Sequence, residues 1–435
     1  VAQHGAGADG PALRPPSELL EPSRSSAPAG AASGPSATAA AAGPRRRALG
    51  ELAWLFLKLG ATAFGGPAAH IAMMEDEVVR RRRWLTRERF LDLLGAVNLI
   101  PGPNSTELAI HVGHARAGWA GLVVAGACFI LPSALIVTGC AWAYVRLGRL
   151  PEVAGLLYGV KPVVIAVVLQ ALWRLGRAAI RGPELALLAL AAAAANALGA
   201  DELAVLGAAA LLAAIVHLMR SSARSKPSPG RSALVLAPIL PASMLAAGAG
   251  TGAVGGAGAG AVAIGLWPLF AFFVKVGSVL FGSGYVLLAF LHGGLVEERG
   301  WLSEAQLLDA VAIGQVTPGP VFTTATFIGY VLAGGAGAMA ATIGIFLPAF
   351  VFVALSGPLV PRLRRSPLAG AVLDGVNAAS LALMGVVTAQ LATAAVSDGS
   401  TLALFLVSAI CLLGLRLSST WLVAGGAIAG LVAGR

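Results

Sequence analysis

The stretch Phe56–Pro103, FLKLGATAFGGPAAHIAMMEDEVVRRRRWLTRERFLDLLGAVNLIPGP, returns in altered form as Phe273–Pro320, FVKVGSVLFGSGYVLLAFLHGGLVEERGWLSEAQLLDAVAIGQVTPGP. In the register that sets Lys275 against Lys58, 15 of 48 positions are identical without a gap. The matches include Lys58/Lys275, Trp84/Trp301, Asp92/Asp309 and both Pro-Gly-Pro triplets, Pro101–Pro103 and Pro318–Pro320. An apolar background matches Ala, Leu, Val and Gly by chance; it does not supply paired Lys, Trp, Asp and Pro. The chain is an internal duplication, and its other features are read outward from the two copies.

Of 435 residues, 57% are hydrophobic and 11% charged, against about 25% charged in soluble domains. Apolar runs near bilayer-spanning length recur from Leu49 onward, so an all-α polytopic membrane protein is expected. The net charge of +10 comes largely from short loops between apolar runs, where Lys and Arg orient a membrane protein. No nucleic-acid role is expected. Cys128, Cys140 and Cys411 sit in apolar runs without metal-ligand spacing, and no nucleophile–base pair, Walker loop or zinc signature is present. Neither an enzyme nor a cofactor is expected.

Residues 1–48 form a Pro/Ala/Ser/Gly-rich tail, expected to be disordered and held on the cytoplasmic side by Arg45, Arg46 and Arg47. Residues 49–219 make the N-terminal repeat, 220–232 a cytoplasmic linker and 233–435 the C-terminal repeat. Within the first repeat, Gly65-Gly66-Pro67 and Pro101-Gly102-Pro103 each interrupt an apolar run, because glycine and proline break a helix there. Two broken hairpins result, about 49–79 and 90–116, followed by spans near 119–144, 153–173, 185–198 and 203–219. The second repeat predicts a span near 234–249, broken hairpins at 267–296 and 304–334, and spans near 336–355, 368–394, 402–415 and 421–433.

Charge then sets orientation. The loop Arg80–Arg89 holds six arginines, whereas its copy, Glu297–Gln306, holds three acids and one arginine. The positive-inside rule places the first loop in the cytoplasm and the second outside. An inverted-topology repeat is expected, although Arg146 and Arg149 fall on the external side. Such repeats, with interrupted helices, bind substrates near the midplane in secondary transporters.

Half-helices that begin at the breaks aim unpaired N–H groups and a positive dipole end at an anion. Candidate substrate contacts in the first copy are Lys58, Gly65, Gly66, Pro101, Gly102, Pro103, Asn104, Ser105 and Thr106. In the second copy they are Lys275, Gly282, Ser283, Gln315, Pro318, Gly319, Pro320, Thr323 and Thr324. Either lysine could instead snorkel to the headgroups. Glu107, Asp92 and Asp309 are candidate coupling groups, since a carboxylate beside an anion site repels when ionised and admits when protonated. The alternatives are a dipole-stabilised Glu107 and interfacial aspartates. His111 and His114 lack a third metal ligand, and His70 and His292 carry no reading.

The motifs Phe64–Gly66, Trp84-Leu85, NLIPGPN at Asn98–Asn104, Gly113, and GQVTPGPVFTTATFIGY at Gly314–Tyr330 resemble the chromate ion transporter family in its long two-domain form. The resemblance covers residues 50–434. It implies efflux of chromate across the cytoplasmic membrane, with sulfate as analogue or counter-substrate, from a multi-pass protein with a cytoplasmic N-terminus. The second copy departs at Gly282-Ser283-Gly284, where the first has Gly65-Gly66-Pro67. A sulfate or other anion carrier, or an anion channel, remains the alternative on this scaffold. A homodimer stays open as the assembly.

Overall fold

The computed structural model describes residues 37–64, 66–147, 151–224, 264–281, 286–364, 366–415 and 417–433. The chain divides into a short N-terminal unit, residues 1–44, whose described part is helical, and a unit spanning residues 45–435. The span expected near 234–249 and the site residues Gly65, Gly282 and Ser283 lie outside the described residues.

The described residues are helical throughout their regular structure. Helix α1 (Ala37–Thr62) begins inside the stretch expected to be disordered and stops before the Gly-Gly-Pro break. Helix α2 (Gly66–Glu75) then runs into a π-helical turn at Asp76–Arg81, and α3 (Arg87–Val97) follows. The same order recurs in the second copy as α8 (Leu266–Val279), α9 (Leu287–Leu291), a π turn at His292–Glu297 and α10 (Glu304–Val316). Thr86 and Ser303, counterparts in the repeat, cap α3 and α10 by accepting from Arg89 N and Gln306 N. Each cap satisfies an N–H that the first turn leaves without a helical partner.

Helices α4 (Asn104–Leu147) and α11 (Thr324–Arg364) each fold back on themselves. The breaks are Ala117-Gly118 (Gly118 φ 63°) and Ala333-Gly334 (Gly334 φ 63°). Positive φ suits glycine, and the turn brings the backbones of Gly113 and Gly121 into contact. In a continuous helix those residues would be about 12 Å apart. The boundary between the expected segments 90–116 and 119–144 is this turn.

After α4 come α5 (Pro151–Ala179), α6 (Pro183–Ala197) and α7 (Glu202–Arg224); after α11 come α12 (Pro367–Ala395), α13 (Gly399–Leu413) and α14 (Ser419–Ala433). Among the described residues, five helical runs are long and apolar enough to cross a membrane. Packing does not follow the two sequence halves. Helix α5 lies against α13 and α14, α12 lies against α6 and α7, and α5 and α12 lie against each other. The hairpin helices pack with one another, α11 on both α8 and α4. Two groups result, one of hairpins from both copies and one of α5–α7 with α12–α14, and each copy contributes to both.

Candidate functional site

The breaks meet each other. Gly102 N donates to Leu280 O at 2.7 Å, and Gly319 N donates to Ala63 O at 2.9 Å. These two bonds are counterparts, because in the register of the repeat Leu280 answers to Ala63 and Gly319 to Gly102. Each Pro-Gly-Pro therefore completes the hydrogen bonding of the other copy's interrupted helix, where a carbonyl has lost its i+4 partner. Gly102 (φ 140°) and Gly319 (φ 90°) hold conformations that L side chains resist. All six residues of the two triplets are buried.

Around this crossing the two copies differ. In the first, His70 Nε2–H donates to Ala63 O at 3.1 Å, leaving Nδ1 of the neutral ring to accept from Ser105 Oγ at 3.3 Å. Thr106 and Glu107 are fully buried, and among the described residues Thr106 Oγ1 and both Glu107 carboxylate oxygens have no hydrogen-bond partner. The Glu107 carboxyl lies against Gly102, at the break itself. In the second copy the polar groups are satisfied. Thr323 Oγ1 donates to Pro320 O at 2.8 Å and accepts from Ser133 Oγ at 3.0 Å, while Thr324 Oγ1 donates to Val321 O at 2.8 Å. A buried polar group without a partner costs about 1–3 kcal/mol, so the first copy carries the unfavourable side of the crossing.

The other expected residues scatter. Lys58 is half exposed and pairs with Glu77 at 3.2 Å, and Glu77 also takes Arg82 at 3.2 Å. Glu77 lies in the π turn after α2, outside the helices long and apolar enough to cross a membrane. Burial pushes its carboxyl up, but Lys58 and Arg82 together outweigh that and hold it below the ordinary glutamate range. Lys275 is exposed and makes no ion pair among the described residues; Gly294 stands where the first copy has Glu77. Asn104 Nδ2 donates to Asn98 Oδ1 at 3.0 Å. Gln315 lines a small void of about 10 Å³ beside Thr324. Asp92 is exposed, whereas its counterpart Asp309 is buried. Asp309 takes the Lys161 ammonium at 3.0 Å on one oxygen and the Tyr144 hydroxyl at 2.9 Å on the other. His111 is buried and His114 exposed, and no group of three metal-ligating side chains occurs among the described residues.

Several residues escaped the sequence reading. His70, Ser133, Lys161 and Tyr144 lie in no recognisable motif. Lys161 had one legible signal, a lone cation inside an apolar span. A cavity of about 350 Å³ was also missed. It lies between the two helix groups, lined by Asn98 and Phe281 from the hairpins and by Arg181, Asp374, Asn377 and Ser380 from the other group.

Comparison with known proteins agrees with this organisation. The family model described as "Chromate transporter" matches twice, over residues 50–218 and 267–431. The two matches begin at counterpart positions, 50 and 267, in the register of the repeat. A chromate transport protein of Cupriavidus metallidurans is 34% identical over 391 residues, covering 88% of this chain and 93% of that protein. A probable chromate transport protein of Synechococcus elongatus is 30% identical over 88% of this chain and 95% of its own length. The chromate transport protein of Pseudomonas aeruginosa is 33% identical over 78% of this chain and 79% of its own. No solved structure matches. With its apolar helices and twice-matched family model, the chain is a multi-pass membrane protein, a transporter rather than an enzyme, and belongs to the chromate transporter family.

Proposed function

We propose that the protein is a secondary carrier that exports chromate across the cytoplasmic membrane, with sulfate competing for or exchanging through the same site. The reading takes the copies as an inverted repeat with the N-terminus inside. The observation that carries it is the pair of reciprocal bonds between the breaks, Gly102 to Leu280 and Gly319 to Ala63. A two-fold relation between copies requires such a pair, and it brings the starts of α4 and α11 to one place. There an oxyanion would meet helix N-termini together with Ser105, Thr106, Thr323 and Thr324. Lys58 and Lys275 would draw the anion towards the breaks from the membrane edge rather than hold it at the centre.

Glu107 is the coupling group in this reading. A carboxylate against Gly102 repels a divalent oxyanion when ionised and admits it when protonated. Asp92 and Asp309 are not equivalent in this respect, since only Asp309 is buried with a cation. Because each sequence half contributes to both helix groups, alternating access is a movement of the groups past one another.

Everted vesicles loaded with sulfate provide the test. Wild-type protein should accumulate radiolabelled chromate saturably, with external sulfate competing. Glu107→Gln should retain chromate–chromate exchange and lose the dependence of net transport on a pH gradient. Unitary currents without counter-flow would establish the channel instead, and no chromate movement would sink the reading.

A further inference from the structure

We infer that Lys161 is an anion-binding residue of the opposite-facing carrier, held here by Asp309 and Tyr144. The inference rests on the carrier reading above.

Helices α5 and α12 are repeat counterparts. Both have 29 residues and begin with proline, and Leu157-Tyr158-Gly159-Val160-Lys161 aligns with Leu373-Asp374-Gly375-Val376-Asn377. Their packing agrees, because Gly159 lies against Gly426 of α14 and Gly375 against Ala209 of α7. Lys161 is therefore to the first copy what Asn377 is to the second. Likewise Gln315 is the counterpart of Asn98, in the register that pairs the two Pro-Gly-Pro triplets.

The two counterpart places are in opposite states. Asn98 and Asn377 line the cavity of about 350 Å³. Gln315 borders a void of only about 10 Å³. Between the same two helix groups, Asp309 of α10 reaches Lys161 of α5 at 3.0 Å, and Tyr144 of α4 holds the other carboxylate oxygen at 2.9 Å. The interface is open at Asn377 and shut by an ion pair at Lys161.

A carrier made of two such copies reverses by exchanging their conformations. Lys161 then takes the situation that Asn377 has here, facing a cavity. On the present open side, an oxyanion would meet two amides, the Arg181 guanidinium and the hydroxyl of Ser380, in a cavity that Asp374 also lines. That hydroxyl is buried and has no partner among the described residues. On the far side the anion would meet an ammonium, with three donors and a full charge. To reach the anion, Lys161 must leave Asp309, so the Asp309 carboxylate is an internal competitor for the oxyanion, and Tyr144 keeps it hydrogen-bonded after release.

The experiment measures initial rates of radiolabelled chromate exchange from each face, in right-side-out and everted vesicles. Lys161→Gln should raise KM on the face away from Arg181 at least about tenfold, the size of one lost charge-assisted hydrogen bond. On the Arg181 face KM should stay within about twofold of wild type. Lys161→Arg should behave nearly as wild type, and Asp309→Asn should not raise the far-face KM. Equal KM increases on both faces, no increase on either, or recovery of wild-type KM in the Lys161→Gln/Asp309→Asn double variant would make the pair structural and overturn the inference. If Lys161→Gln fails to accumulate, the other two single variants decide, a far-face KM increase in Asp309→Asn counting against. Absence of chromate exchange by wild type would remove the carrier reading itself, an outcome separate from these.

Discussion

Replacement of Gly319 by alanine strikes the crossing of the breaks at its tightest point. At φ 90° an L-residue is strained, at about 1–3 kcal/mol. A Cβ there would stand 2.6 Å from Ser133 Cβ and 2.9 Å from Gly60 O. Neither neighbour can swing away, since one is fixed to its helix and the other is backbone. Overpacking adds about 1–3 kcal/mol, or the backbone retreats and loses the bond to Ala63 O, at a similar cost of about 1–3 kcal/mol. The expected destabilisation is about 2–6 kcal/mol. Equilibrium unfolding of purified protein in mixed micelles measures it against Gly385→Ala. A side chain at Gly385 would meet nothing within 4 Å, so that helical substitution should be neutral or stabilising by up to about 1 kcal/mol. Adding Ser133→Gly to Gly319→Ala should recover part of the loss, because Gly60 O and the backbone strain remain. A Gly319→Ala protein within about 1 kcal/mol of wild type would refute the close crossing of the copies.

Two further predictions concern the neighbouring contacts. Lys58→Gln and Glu77→Gln in a double-mutant cycle should show a coupling of at most about 1 kcal/mol, because Lys58 is half exposed. Since Glu77 is held below its ordinary range, its contribution is full above the unfolded glutamate value and is lost as pH falls through the folded one. Unfolding measured across the acid range should therefore show a shallower acid loss in either variant. Ser133→Ala should cost about 1 kcal/mol by removing the donor to Thr323. Thr323→Val should cost more, because it strands the Ser133 hydroxyl, and the double variant should cost less than the sum.

The breaks were legible in the sequence because glycine and proline act locally. Gly-Gly-Pro and Pro-Gly-Pro forbid a continuous helix whatever surrounds them, and α2 and α4 begin where those residues require. The turn at Ala117-Gly118 was legible as the gap between two apolar segments. The partners of each helix were not. That α5 packs on α13 and α14 depends on contacts between opposite halves of the chain, which no periodicity encodes. Lys58 drew attention because it is repeated, yet its position is half exposed beside Glu77. Lys161 has an asparagine as counterpart and left no repeated letter to notice. The buried, unpaired Glu107 was visible as a carboxylate after a break, but its lack of partners depends on the packing of α4.

The exchange of helices between copies has a consequence for synthesis. Gly159 of α5 meets Gly426 of α14, which the ribosome reaches 426 − 159 = 267 residues later. At about 5–20 residues per second, α5 waits roughly 13–53 s for α14. Over the first part of that interval, until Asp309 of α10 is made, Lys161 has no carboxylate to neutralise it. Insertion and assembly are thus separate events for this chain. A stalled or truncated product ending before α10 leaves α5 without α10, α12, α13 or α14 and with an unneutralised Lys161 in the bilayer, a natural target for membrane quality-control proteases.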